Sequence, residues 1–113
     1  MRKVWRQGDI VFVEESIQPE DIPSSFTKIE KPLKISSETG KPHIVRAQVC
    51  FVRIHNGLFQ SAHVFSNEKI VVEHEEHGTL FLPPGAYRIY RVREAKGKVL
   101  FPRSRIDFRY VPD

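Results

Sequence analysis

A chain of 113 residues, 40% hydrophobic and 28% charged, has the size and composition expected of one soluble globular domain spanning residues 1–113. Its apolar runs are too short to cross a membrane, and Met1-Arg2-Lys3 leads into Val-Trp-Arg-Gln-Gly-Asp rather than an apolar leader. The net charge of +4 is uneven: residues 1–87 sum to −1 and residues 88–113 to +5, with six of the ten arginines in that last stretch.

In chain order the pattern is strand after strand. Residues 9–14, "DIVFVE", form a short run of branched and aromatic residues that predicts a buried strand. Residues 15–26, "ESIQPEDIPSSF", with two prolines and several acids, predict a surface loop with one helical turn at most. Residues 28–31 alternate weakly, and Pro32 restricts them to a sheet edge.

After the turn "SSETGKP" (36–42), residues 43–55 predict one long strand with Val45, Ala47, Val49 and Phe51 on a single face. Cys50 lies within it, as a buried structural thiol, and a lone cysteine excludes an internal disulfide. That fits a reducing, cytoplasmic setting. Asn56-Gly57 between two strand-like runs predicts a two-residue hairpin turn, since both positions need positive φ. Residues 58–65 and 69–74 are the next strands, and Gly78 suits a left-handed backbone in the loop after them.

Pro84-Gly85 matches a type II turn, residues 87–94 a long strand, and residues 99–101 its hairpin partner. The final strand places Ile106, Phe108 and Tyr110 inward and Arg105, Asp107 and Arg109 outward. No helical periodicity survives. The expectation is an all-β domain: a small antiparallel barrel or sandwich of about eight short strands. Its core should include Ile10, Phe12, Val49, Phe51, Val72, Leu80, Leu82, Ile89, Ile106 and Phe108.

Two features point to chemistry. The first is His74-Glu75-Glu76-His77, which is not a zinc-protease motif, because that needs histidines four apart on a helix. Three apart on a straight strand they diverge, but in a tight loop they converge, with His43 the best third ligand and His63 the second. Imidazoles with a carboxylate suit zinc or another first-row divalent metal. His74 or His77 is also the only visible general base.

The stretches "QGD" (7–9), "ETGKPH" (38–43) and "HEEHGTLFLPPGAYRIYRVRE" (74–94) resemble a family of small uncharacterised microbial and phage proteins. Its pattern is Q-G-D, then T-G-H-x-H, then H-E-E-H-G-x-x-x-L-P-x-G-x-Y-x-x-x-R-x-R-E. The resemblance brings no activity with it. It implies that His43, His74 and His77 belong to one constellation, although Lys41 stands where the pattern has the first of two histidines.

The second feature is the basic C-terminal segment. Arg91 and Arg93 share a strand face with Tyr87 and Ile89, Arg88 lies opposite, and Arg103, Arg105 and Arg109 share the outward face of the last strand. Guanidinium groups beside tyrosines offer phosphate contacts and stacking surface, as in small barrels that bind single strands. The functional expectation is a non-enzymatic binding module without a cofactor, whose basic sheet face meets nucleic acid or an acidic protein surface. The alternative is a metal protein of cupin-like or hairpin-tip type, with hydrolytic chemistry open to it.

Overall fold

The structure, a computed structural model, describes residues 2–37, 40–95 and 98–100, with side chains as far as Val92. Twelve strands appear among these residues, more than the eight expected. They are β1 (Val4–Gln7), β2 (Ile10–Glu15), β3 (Thr27–Ile29), β4 (Leu33–Ile35), β5 (His43–Arg46), β6 (Val49–His55), β7 (Leu58–Ser66), β8 (Ile70–Glu73), β9 (Leu80–Leu82), β10 (Gly85–Arg91), β11 (Arg93–Ala95) and β12 (Lys98–Leu100). The surplus lies in short pieces such as β1 and β4, whose charged residues hide their alternation. The loop at 15–26 carries a single 3-10 turn, Pro19–Asp21. No helix among the described residues is long and apolar enough to cross a membrane.

Two antiparallel sheets form a sandwich, not a closed barrel. The larger has the order β1-β2-β10-β7-β6-β3, the smaller β4-β5-β8-β9, and β11 pairs β12. As expected, the piece before Pro32 (β3) is an edge strand. Ile10, Phe12, Cys50, Val52, Ala62, Val64, Tyr87 and Ile89 of the larger sheet pack on Leu33, Ile35, Val45, Ile70, Val72 and Leu82 of the smaller. Each large side chain so buried contributes about 1.5–3 kcal/mol. Trp5 closes one side by meeting Tyr87 edge-on at 5.4 Å.

Several sequence expectations are corrected here. The strand predicted over 43–55 is two strands in different sheets, separated at Ala47 and Gln48. That break shifts the phase, so Cys50 and Val52 face the core while Val49 and Phe51 are only partly buried on the other side. Leu80 is also only partly buried. The strand predicted over 87–94 is interrupted at Val92. Pro84 makes a bend rather than a type II turn: Gly85 has φ 152°, not the value near 80° of such a turn, and already pairs with Ser66. Ile106 and Phe108 lie outside the described residues.

The hairpin at Asn56-Gly57 is as read, with φ of 52° and 76° and His55 opposite Leu58. A register shift between Arg53 and Ile54 lies just before it on β6.

Burial pushes the Cys50 thiol up to about 12, which removes the thiolate at neutral pH. The folded protein should therefore resist alkylation at about pH 8 and react on adding denaturant, as mass spectrometry will show. Rapid labelling without denaturant would contradict this packing.

Candidate functional site

Parts of the three stretches that carry the sequence resemblance, residues 7–9, His43 and residues 74–77, meet at one end of the sandwich. Gln7-Gly8-Asp9 turns β1 into β2, His43 opens β5, and His74 to His77 form the turn after β8. Gly8 has φ 58°, and a Cβ there would come within 2.7 Å of the His77 ring and 3.3 Å of His43 Cε1. The tight turn and the close approach of two imidazoles both require glycine.

Gln7 orients the group. Its Nε2 donates to Val72 O at 2.8 Å and to Gly78 O at 2.7 Å, so its Oε1 must accept. His43 Nδ1 lies 2.9 Å from that oxygen and therefore carries a proton. His43 Nε2 faces Asp9 Oδ1 at 2.8 Å, and Arg91 donates to Asp9 Oδ2 and, at 2.6 Å, to Ser36 O.

With one proton, the His43 ring would set a lone pair against an oxygen at one of its contacts. With two, it carries a buried charge offset by Asp9. Burial pushes its pKa down from the ordinary value, against the hydrogen bond and charge of Asp9; charge on His74 and His77 adds to the downward push. The ring is fully buried.

His74 is committed differently. Its Nδ1 accepts the backbone N–H of Glu76 and His77 at 3.0 and 3.1 Å, and its Nε2 donates to Lys41 O at 3.0 Å. Gly78 N closes the same turn on His74 O. The side chain thus caps its own loop, as asparagine caps a helix. Lys41 supplies that carbonyl, and its ammonium reaches Glu75 at 3.5 Å.

The expected convergence is present: ring centroids of His43 and His74 are 4.5 Å apart, and those of His74 and His77 4.6 Å. Yet His74 uses both nitrogens on backbone, and His43 uses one on Gln7 and turns the other to Asp9. Among the described residues no group of three or more His, Cys, Asp and Glu is arranged to hold a metal ion. His63 is elsewhere, on the outer face of the larger sheet, 2.6 Å from Glu15.

The expected basic face divides. Arg91 does share the side of Tyr87 and Ile89, but that side faces the core, so Arg91 is not on an outward patch; it closes the core's edge over Asp9, near the Phe59 ring. Arg88 lies on the outer face. The side chain of Arg93, and all of Arg103, Arg105 and Arg109, fall outside the described residues.

Strand register places Arg53, Ser61 and Tyr90 in one row across β6, β7 and β10, and Phe51, His63 and Arg88 in the next. Phe26, from the loop before β3, covers them: Arg53 and Arg88 lie 5.1 and 5.6 Å from its ring centroid, and Arg88 also lies 5.2 Å from that of Tyr90. Gln7, Asp9 and Arg53 were missed as site residues in the sequence. Only the "QGD" resemblance signalled the first two, and nothing signalled the third.

Residues 6–92 match the model of a family described as "Domain of unknown function (DUF8820)", and the chain belongs to that family. The matched span holds the histidine end, Arg53, Arg88 and Arg91, and stops before the later arginines. No curated protein and no solved structure matches the chain.

Two tests follow from this geometry. Long-range 1H–15N spectra should show a protonated Nδ1 on His43 and a bare Nδ1 on His74, and the reverse assignment would refute the network. Gly57→Ala, at positive φ in open space, should cost about 1 kcal/mol in denaturant unfolding. Gly8→Ala should cost about 1–3 kcal/mol more, because the His77 ring must move.

Proposed function

We propose that this member of the family is a non-enzymatic binding module for a polyanion, nucleic acid first, that docks on the outer face of the larger sheet. The observation supporting this reading is the cation–aromatic set in the middle of that face. Arg53 and Arg88 rest against Phe26, and Arg88 also against Tyr90, at half-buried positions. Aromatic contact holds the guanidinium groups in fixed geometry, and among the described residues no carboxylate pairs with either.

The chain's surplus of positive charge points the same way, since a cationic face raises the local concentration of anionic ligands. Arg93, Arg103, Arg105 and Arg109 belong to this proposal as further phosphate contacts. Arg91 contributes by holding the end of β10 to the β1–β2 turn.

The test is fluorescence anisotropy with labelled DNA and RNA at about 50 and about 200 mM salt. Affinity should fall steeply with salt, because neutralised phosphates release counterions. Arg53→Ala and Arg88→Ala should each weaken binding about tenfold. Arg46→Ala is the control, since Arg46 is tied at 2.5 Å to Glu73 on the other sheet. No binding at low salt would overturn the nucleic-acid reading and leave an acidic protein surface as the partner to be tested.

A further inference from the structure

Resting on that reading, we infer that Arg53, Ser61 and Arg88 form a seat for one phosphate group of a single-stranded nucleic acid. Arg53 and Ser61 are cross-strand partners, and Arg88 Nη2 donates to Ser61 Oγ at 3.1 Å. The hydroxyl thus holds Arg88 to β7, with Arg53 standing across from it on β6. The register shift between Arg53 and Ile54 lies beside this point, and such bulges re-aim the adjacent side chain.

The distinguishing observation concerns the Nε atoms. The Nε of Arg53 and that of Arg88 are both buried and have no hydrogen-bond partner among the described residues. Buried donors are rarely left unmet, because the loss of hydration is not repaid. Here two occur on β6 and β10, the strands on either side of β7, around one hydroxyl. A tetrahedral oxyanion has enough acceptor oxygens to meet both and brings the opposite charge.

Neighbouring groups bear on the choice of ligand. Glu15, the nearby carboxylate of this face, is already bonded to His63 at 2.6 Å, and His63 is the register partner of Arg88. That carboxylate oxygen therefore already has a partner before an anion arrives. Phe26 covers the place, lying over Arg53 and Arg88 and meeting His63 edge-on at 4.9 Å, so a phosphate must enter beneath its ring. A flexible single strand can turn one phosphate beneath that ring. A duplex, whose phosphates lie along rigid ridges, cannot do so without deformation.

The seat differs from general attraction in needing the Nε–H groups and not only positive charge. Arg53→Lys and Arg88→Lys keep the charge and remove the fork-shaped donor set. Binding of oligothymidylate, a matched duplex and inorganic phosphate alone is measured on the full chain, with arginine Nε–H signals followed by NMR. Thermal melts establish that each variant is folded.

The seat predicts that oligothymidylate binds more tightly than duplex, shifts both Nε–H signals, and loses about tenfold affinity in each lysine variant. Lysine variants that bind like the original chain would overturn the seat while leaving the sheet-face reading intact. Inorganic phosphate that shifts both signals while oligothymidylate does not bind would overturn the nucleic-acid source and identify free phosphate. Absence of binding by any of the three would overturn both.

Discussion

The side-chain amide of Gln7 is the bond on which the arrangement depends. It stands on β1 of the larger sheet and reaches Val72 on β8 and His43 on β5 of the smaller, as well as Gly78 in the histidine turn. Hydrophobic burial between the sheets is non-directional and does not by itself set how their ends meet. The amide does, because each of its contacts has a direction and is buried or nearly so. The Gly8 turn then places Asp9, whose carboxylate takes His43 and Arg91 and whose backbone oxygen accepts Val92 N at 2.9 Å. The end of β10 is thereby held to the start of β2.

This network gives the histidines a structural account. His74 caps its own turn and His43 is locked between Gln7 and Asp9. A buried group of this kind costs desolvation and adds less stability than its contacts suggest, but it fixes one geometry out of many. Arg91 and Arg88, three residues apart on β10, show the same division. The strand's alternation turns one inward to Asp9 and the other outward to Phe26 and Tyr90.

Much of the fold was legible in the sequence, and the reasons are physical. Asn56-Gly57 declares itself because few residues accept positive φ. Five of the eight expected core residues that are described, Ile10, Phe12, Val72, Leu82 and Ile89, are buried for the same reason that they alternate. Alternation, however, reports inside against outside and not which sheet a strand joins. Val49 and Phe51 were therefore placed in the core when Cys50 and Val52 occupy it. The meeting of His43 with the 74–77 turn was visible, but Gln7 and Asp9 were not, since their side-chain partners lie 34 to 82 residues away. Arg53 carried no signal, because its importance comes from a loop phenylalanine and a strand two positions across.

The account assigns support to the histidine end and recognition to the outer sheet face. Backbone 1H–15N shifts recorded while a single-stranded oligonucleotide is added test that division most directly. It predicts perturbations centred on Arg53, Ser61 and Arg88, with Gly8, His43 and Gly78 unmoved. Perturbations centred on residues 7–9 and 74–78, with the outer face silent, would contradict it and make the histidine end the binding site.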